Sequence, residues 1–374
     1  MSSPTDLNTV SVARTILVDV HLTGSDAQTI ADTLRVIDEQ IAPFGLQRKF
    51  DMIQLAGSQL YVYASDSYAS ATLRVYPSKK LVTLTIEEAS EDQAMTNEDI
   101  ESLRKHLIRE LETRVVSVPY LKRGPPIPNY YTSANERLLE YDFDELLFEK
   151  KSDYQEVKIL KSPTMGAVLF LDDLQNLGEC DLPYTHGLMN FGNYSYTDKD
   201  VLILGGGDGG LLHELLKEKP KFVTMIDIDD VVMKSCRKFL RGVCGDCLDV
   251  YEASNYKVIV GDCLEYMRLY EKEQRQFDVI FSDLTDVPIV AGEDGNAQQN
   301  EQWQFLKQVL TDSLKLLRVG GVFQNHAIGK GCTIALANYE KFLKTLKNTH
   351  FTKRSCFVPS FLEDWVFYSL YLDK

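Results

Sequence analysis

Five short apolar segments follow residue 200, and they constrain the fold more than any other feature of the chain. Each is rich in Val, Ile, Leu or Phe, and segments of helical length separate them. Strands that are apolar on both faces belong to parallel sheets, which are usually connected by helices. The pattern predicts an α/β domain with a Rossmann-like parallel sheet. The predicted strands span residues 201–204, 222–227, 257–262, 278–283 and 320–325.

The first 121 residues follow a different pattern. Residues 11–22 and 70–87 cluster or alternate β-branched residues as strands do, whereas residues 25–41 and 98–114 have helical spacing. They predict an α+β domain over residues 1–121. Residues 122–128 contain three prolines within four positions, and proline removes backbone donors, so we place a domain boundary there.

A third region lies between these two. Residues 137–143, 155–162 and 166–173 form short strand-like runs that Ser, Pro, Gly and Asp separate. They predict a small antiparallel sheet within a domain of residues 122–185, which leaves residues 186–374 for the Rossmann-like domain.

The composition excludes several classes of function. A net charge of -15 over 374 residues disfavours nucleic acid as a partner, because phosphate binding needs clustered Lys and Arg. An acidic surface raises the local concentration of cations and can steer a polycationic substrate, or it simply keeps the protein soluble. No run of eighteen apolar residues and no signal pattern is present, so we expect a cytoplasmic protein without membrane contact.

The cysteines and histidines indicate neither disulfides nor a metal site. Seven scattered cysteines do not form a disulfide framework. Cys244 and Cys247 have the CxxC spacing of metal or redox sites, but no second such pair accompanies them. We expect free thiols, and His186, His213 and His326 are expected to have surface or packing roles.

A glycine-rich turn follows the first strand of the predicted parallel sheet. Gly205, Gly206, Gly207 and Asp208 begin the sequence GGGDGG, and a helical segment comes next. Such a strand-to-helix turn is typical of nucleotide-binding sites, and an acid about twenty residues later binds ribose. The next predicted strand ends at Asp227, and Asp229 follows two residues later, so two such acids are present.

The charge of the acid in the glycine turn indicates which class of nucleotide ligand the turn can bind. Asp208 would repel a pyrophosphate, so it favours a cationic ligand such as the sulfonium of S-adenosylmethionine or its decarboxylated form. The alternative is that Asp208 caps the following helix. The third and fourth strands end at Asp262 and Asp283, so four acids are expected at one sheet edge. Asp262 also suits a helix cap.

These motifs resemble the aminopropyltransferase family. The resemblance rests on residues 205–210, the acidic end of the second strand, Gly-Asp-Cys at 261–263 and Asp283. It extends strongly over residues 120–374 and more loosely over the first 120. Within the family, the segments 283–288 and 358–368 resemble members that use spermidine as the acceptor.

The resemblance implies a role for each matching residue. Asp283 would be the general base, Asp208 would anchor the reacting amines, and Tyr184 would assist catalysis. The implied nucleoside contacts are Gln155, Gly205, Gly206, Gly207, Asp208, Asp227, Asp229, Asp262 and Cys263. The implied polyamine contacts are Asp181, Tyr184, Asp208, Asp283, Glu363 and Trp365.

Two positions depart from the family pattern. The family usually has Glu where this chain has Asp227, which shortens the reach toward ribose by one methylene. It commonly has Tyr where this chain has Phe361, which removes a hydroxyl from the polyamine site.

The resemblance also implies the reaction and the assembly. The co-substrate would be decarboxylated S-adenosylmethionine, with no tightly bound cofactor and no metal, and spermidine would become spermine. An N-terminal domain similar to S-adenosylmethionine decarboxylase would form a homodimer. Alternatives are transfer to putrescine, thermospermine as the product, a methyltransferase using intact S-adenosylmethionine, and an inactive scaffold.

Overall fold

The computed structural model describes residues 13–66, 69–89, 95–284 and 301–373. The chain divides into two compact units, Met1–Pro128 and Asn129–Lys374. The division falls at the end of the proline-rich stretch 122–128. No helix in the described ranges is long and apolar enough to cross a membrane.

The N-terminal unit is an antiparallel sheet with two helices. Its strand order is β2-β3-β4-β5-β1-β6. Ile16, Val18 and Val20 alternate along one face of the first strand and are buried in the core. The elements are β1 (Ala13–His21), α1 (Ala27–Ile41), β2 (Gln47–Leu55), β3 (Ser58–Ala64), β4 (Ser70–Tyr76), β5 (Leu81–Ala89), α2 (Asn97–Leu111) and β6 (Val115–Arg123).

The helices of this unit begin at side-chain caps. Asp26 accepts a hydrogen bond from Thr29 N at 2.9 Å at the start of α1. Thr96 and Asp99 form a reciprocal capping box at the start of α2.

The second unit begins with a short ribbon and a small antiparallel sheet. The sheet has the order β12-β11-β10-β9. The next helix, α3 (Leu182–Met189), crosses the expected domain boundary between residues 185 and 186. The strands are β7 (Tyr130–Thr132), β8 (Leu138–Glu140), β9 (Glu145–Lys151), β10 (Glu156–Ser162), β11 (Gly166–Leu171) and β12 (Leu174–Gly178).

The small sheet shares a hydrophobic core with the large sheet that follows. Val157 and Leu169 of the small sheet belong to the same buried cluster as Val201 and Met225 of the large one. The expected regions 122–185 and 186–374 are therefore packed into one compact unit, apart from the residues up to Pro128.

The large sheet has the order β15-β14-β13-β16-β17-β19-β18. Its elements are β13 (Asp200–Gly205), α4 (Gly210–Lys217), β14 (Phe222–Asp227), α5 (Asp230–Phe239), α6 (Arg241–Cys244), β15 (Tyr256–Val260), α7 (Cys263–Lys272), β16 (Phe277–Asp283), α8 (Glu301–Leu316), β17 (Leu317–Gly329), α9 (Thr333–Leu343), β18 (Thr349–Val358) and β19 (Glu363–Leu372).

The large sheet extends beyond the five predicted parallel strands by two more, β18 and β19. The strands β13 to β17 are parallel, as predicted, but β19 runs antiparallel to both β17 and β18. The chain makes a tight return after Val358, and a short connection of this kind joins antiparallel strands. The sheet is therefore mixed.

The strand order reverses at β13, which has β14 on one side and β16 on the other. Ligands of open α/β sheets bind at such a switch point, outside the carboxyl ends of the strands. A ligand site is therefore expected at the turns after β13, β14, β15 and β16.

Candidate active site

The glycine turn after β13 closes tightly against β16. Gly205 has a φ of 84°, and a Cβ atom at this position would lie 2.2 Å from the carbonyl oxygen of Asp283. The N–H of Gly206 donates to the same oxygen at 3.1 Å. Only glycine combines this dihedral with so close a contact. The turn therefore brings Asp208 and Asp283 to one place.

A cavity of about 730 Å³ lies over these strand ends. The structure brings most of the predicted site residues together around it. These residues are Gln155, Tyr184, Gly205, Gly206, Gly207, Asp208, Asp227, Asp262, Cys263, Asp283, Glu363 and Trp365.

Asp208 is a partly buried acid just before α4. Its Oδ1 accepts a hydrogen bond from Gly210 N at 2.7 Å, so it satisfies an amide of the helix terminus. Burial raises the pKa of Asp208 above its ordinary value, and the neighbouring carboxylate of Asp283 raises it further. Asp208 is therefore a cavity acid, as one interpretation predicts, whereas the N-cap position of α4 belongs to Gly209 and not to Asp208.

Asp283 ends β16 and receives a hydrogen bond from α3. The hydroxyl of Tyr184 donates to Asp283 Oδ1 at 3.2 Å. Burial raises the pKa of Asp283, and this hydrogen bond offsets part of the rise. Burial and the nearby acids also raise the pKa of Tyr184, so its hydroxyl keeps its proton at neutral pH.

Asp227 ends β14 and supports the glycine turn. Its Oδ2 accepts from Gly207 N at 2.8 Å and its Oδ1 from Asp229 N at 2.9 Å. Burial raises the pKa of Asp227 to about 6. A carboxylate oxygen has two lone pairs, so each oxygen can still accept one hydroxyl group, as the two hydroxyls of a ribose require.

Asp229 does not line the cavity, contrary to the expectation of a ribose contact. Its Oδ1 caps α5 by accepting from Val231 N at 2.9 Å. Its Oδ2 accepts from Ser152 Oγ at 2.6 Å and from Gln155 Nε2 at 3.0 Å. The carboxylate is buried and already has three donors. Asp229 therefore orients Gln155, whose amide oxygen is left for the cavity.

Asp181 also lies outside the cavity, although it was expected to contact polyamine. It is 1% exposed. It accepts from Gly178 N at 2.7 Å and Ser360 N at 2.9 Å, and from the hydroxyl of Ser360. Its oxygens are occupied by these donors, so Asp181 joins the end of β12 to the turn before β19.

Glu363 and Asp262 line the cavity and also have protein partners. Glu363 Oε2 lies 3.2 Å from Nη2 of Arg137, and its Oε1 accepts from Ala134 N at 3.2 Å. Asp262 caps α7 by accepting from Leu264 N at 2.8 Å. For Asp262, the cap and the position at the cavity are compatible.

His326, for which a surface or packing role was expected, lines the cavity. It follows Asn325, whose partner in the neighbouring strand is Ser282. Asp262 and Asp283 were found because they end predicted strands. His326 follows the end of the predicted strand 320–325, so the same argument applies to this imidazole.

A turn between β11 and β12 adds two acids that were not predicted. Asp172 and Asp173 both have positive φ, 48° and 63°, as a type I′ hairpin turn requires. Both line the cavity. In the sequence, an Asp-Asp pair between two strand-like runs indicates such a hairpin turn.

The cavity is strongly acidic. No Lys or Arg is among the described residues that line it. Such a site stabilises cations and repels phosphates and carboxylates. The carboxyl groups at its wall belong to Asp172, Asp173, Asp208, Asp227, Asp262, Asp283 and Glu363.

Comparisons with known proteins agree with this arrangement. Residues 181–374 match the family model described as the spermine/spermidine synthase domain, and residues 128–179 match the spermidine synthase tetramerisation domain. These matches cover the small sheet, α3 and the whole of the large sheet.

Curated relatives match more distantly. A polyamine aminopropyltransferase of Aeropyrum pernix is 28% identical over 233 residues, which cover 60% of this chain and 68% of that protein. One of Clostridium tetani is 32% identical over 155 residues, which cover 41% of this chain and 53% of that protein. The chain thus spans between about half and two thirds of the length of these relatives.

Solved structures support the fold. A crystal structure of spermidine synthase in complex with the transition state analogue AdoDATO is 21% identical, with a TM-score of 0.52. The match covers 66% of this chain and 79% of that one. A spermidine synthase from Thermotoga maritima matches with the same values. At this level of identity the similarity concerns the fold alone.

Proposed function

The chain belongs to the spermine/spermidine synthase family, and from that premise we propose that it transfers an aminopropyl group from decarboxylated S-adenosylmethionine to spermidine. The products would be spermine and 5′-methylthioadenosine. One observation carries the proposal: three partly buried carboxyl groups, those of Asp208, Asp227 and Asp283, meet in a cavity whose described lining has no Lys or Arg.

The reaction is a displacement at the carbon atom beside a sulfonium. The amine nitrogen forms a bond to that carbon, the carbon–sulfur bond breaks, and the electron pair goes to sulfur. The leaving thioether is neutral and needs no proton. The amine does need to lose one, because with a pKa of about 10.4, as for Lys, roughly one amine in a thousand is free at neutral pH.

Asp283 is the base in this proposal. Its burial raises its pKa, and a carboxylate of higher pKa is a stronger base for an ammonium proton. The Tyr184 hydroxyl holds one of its oxygens, so the other is available to the substrate. Asp208 lies near Asp283 and anchors the charged amines of donor and acceptor.

The nucleoside of the co-substrate is assigned to the other strand ends. Gln155 and Asp227 would hold the ribose side, and Asp262 with Cys263 would contact the adenine. The glycines at 205–207 allow close approach of the backbone. The co-substrate enters and leaves with each turnover.

The acidic lining also supports the decarboxylated over the intact co-substrate. Intact S-adenosylmethionine carries a carboxylate, which Asp208 and Asp283 would repel. A methyltransferase would have to bind that carboxylate. Tighter binding of intact S-adenosylmethionine than of the decarboxylated form, measured by calorimetry, would favour the methyltransferase alternative.

The acceptor is assigned from the sequence. The segments 283–288 and 358–368 resemble family members that act on spermidine, and residues 285–288 of the first lie outside the described residues. Putrescine is the alternative acceptor, and the solved structures that match are titled spermidine synthases. Polyamine contacts are proposed for Tyr184, Glu363 and Trp365.

The assembly is proposed to be a homodimer. The match of residues 128–179 to a tetramerisation domain supports an oligomer. Light scattering of the purified chain would give the number of subunits, and a mass of one or four chains would contradict the dimer.

The function is tested by a chromatographic assay of the purified protein with decarboxylated S-adenosylmethionine, offered putrescine and spermidine in parallel. We expect spermine from spermidine and no product from putrescine. Asp283→Asn should lose activity, whereas Asp249→Asn, at an exposed ion pair with Arg241, should retain it. Product from putrescine alone would make the chain a spermidine synthase, and no product from either would refute aminopropyl transfer.

A further inference from the structure

His326 lies next to the proposed base on the neighbouring strand. Ser282 of β16 pairs with Asn325 of β17, so the residues that follow this pair are Asp283 and His326. Both line the cavity, and the rings of His326 and Tyr184 lie 5.9 Å apart between centroids. None of the roles proposed above uses this imidazole.

The hydrogen bonding of the ring defines where its proton lies. Nε2 of His326 lies 3.0 Å from the carbonyl oxygen of Leu284. A carbonyl oxygen only accepts, so Nε2 carries the hydrogen atom. Nδ1 is buried and has no partner among the described residues. Burial lowers the pKa of the imidazole, so the ring is neutral, with its single proton on Nε2.

The backbone around Asp283 is held from both sides. On one side, Gly206 N donates to the carbonyl oxygen of Asp283 at 3.1 Å. On the other side, the imidazole of His326 donates to the carbonyl oxygen of the next residue, Leu284. The first contact comes from the turn that follows β13, and the second comes from β17. The backbone of the proposed base is therefore fixed between its two neighbouring strands.

The geometry points to His326 as a positioning residue, whose Nε2–H fixes the Leu284 carbonyl and thereby the direction of the Asp283 carboxylate. This inference rests on the proposed function, since it takes Asp283 as the base. The imidazole itself exchanges no proton with the substrate. Because a misplacement of about 1 Å can cost about a hundredfold in rate, loss of this contact should lower kcat.

Two amide variants separate this role from others. In His326→Gln, the amide nitrogen can reach the position of Nε2 and donate to Leu284. In His326→Asn, the shorter amide stands near the position of Nδ1 and cannot reach. We expect His326→Gln to retain kcat within about threefold and His326→Asn to lose about tenfold or more, with KM for both substrates changed by less than about twofold. His350→Asn, at an exposed ring, is the control.

Each other outcome of this comparison overturns the inference. Equal losses in both variants would mean that the reaction needs a titratable ring. No loss in either would mean that Asp283 is oriented without His326. A loss expressed in KM alone would assign the ring to substrate binding.

A second measurement does not depend on the folding of variants. Nitrogen-15 NMR of the wild-type protein with labelled histidine, at pH 7.5, should show His326 neutral and protonated on Nε2. A ring protonated on Nδ1, or on both nitrogens, would refute the inference. The wild-type assay comes first: absence of product there refutes the proposed function, whereas failure of the His326 tests in an active enzyme refutes only the positioning role.

Discussion

The hydroxyl of Tyr184 lies 3.2 Å from Oδ1 of Asp283 and donates a hydrogen bond to it. The two residues are 99 positions apart in the sequence: Tyr184 belongs to α3, and Asp283 ends β16. Both line the acidic cavity, where the phenol is buried and the carboxyl group is partly buried. The hydrogen bond therefore stabilises the charged form of Asp283 where burial disfavours it.

Tyr184→Phe should weaken catalysis in a pH-dependent way. The Tyr184 hydrogen bond lowers the pKa of Asp283, so its removal raises that pKa. Since the base must be ionised, the rise of activity with pH should move to higher pH. We expect a loss of kcat of about ten- to a hundredfold near pH 6.5 and a smaller loss near pH 8.5.

The measurement is a profile of kcat against pH for the wild-type and variant proteins. Tyr256→Phe removes a hydroxyl that donates to the carbonyl oxygen of Val250 outside the cavity, and its profile should match that of the wild type. A uniform loss at all pH values would indicate that the hydroxyl acts in another way than through the pKa of Asp283.

Asp208→Asn should stabilise the fold while removing activity. Burial and Asp283 raise the pKa of Asp208. A carboxyl group with a raised folded-state pKa costs stability when the pH is above that pKa, and the cost disappears as the pH falls toward the unfolded pKa of about 3.9. Asn keeps the oxygen that accepts from Gly210 N.

We expect Asp208→Asn to raise the free energy of unfolding by about 1–2 kcal/mol at pH 8, and to raise it less at pH 5. Urea denaturation at the two pH values measures it. Asp249→Asn should not stabilise, because Arg241 lowers the pKa of Asp249. An Asp208→Asn protein that is less stable than the wild type at pH 8 would contradict the argument.

Asp229→Ser should weaken binding of the nucleoside without slowing the chemical step. Ser can still cap α5, but it is too short to hold the amide of Gln155. We expect KM for decarboxylated S-adenosylmethionine to rise about three- to tenfold with kcat changed by less than about twofold.

The control for the cap is Asp26→Ser, at the start of α1 in the N-terminal unit. This variant should leave both kinetic constants unchanged. Gln155→Ala should also raise KM, and adding Asp229→Ser to it should have little further effect. If Asp229→Ser raises KM in the Gln155→Ala background by the same factor as in the wild type, the two residues act independently and the orienting role is wrong.

The sequence predicted the parts of the site that local signals encode. Gly205 to Asp208 follow a strand directly, and Asp262 and Asp283 end strands, so their position in the chain places them at one sheet edge. The apolar runs also predict the five parallel strands within a few residues, since these runs are continuous.

Side-chain partners that are distant in the chain could not be predicted. Asp181 binds the backbone of Ser360, 179 residues away, and Asp229 binds Ser152, 77 residues away. These tertiary contacts turn the two acids away from the cavity. The strand β2 was missed because its sequence QRKFDMIQL mixes charged and apolar residues without alternation.

Arg137→Gln should increase the affinity for the polyamine. The guanidinium of Arg137 lies 3.2 Å from Glu363 Oε2, and the side chains are 51% and 6% exposed. Glu363 lines the cavity, so a substrate ammonium that binds there must compete with Arg137. Because the guanidinium is half-exposed, it can move into solvent when a substrate cation takes its place at Glu363.

We expect Arg137→Gln to lower KM for spermidine about two- to fivefold, with kcat little changed. Glu363→Gln should raise KM for spermidine, since it removes the charge for which the two cations compete. In the double variant, Arg137→Gln should have no effect on KM, because the Glu363 carboxylate that it would free from the ion pair is already absent. Initial-rate kinetics measures all three, and a KM for spermidine that rises in Arg137→Gln would show that Arg137 supports the polyamine site.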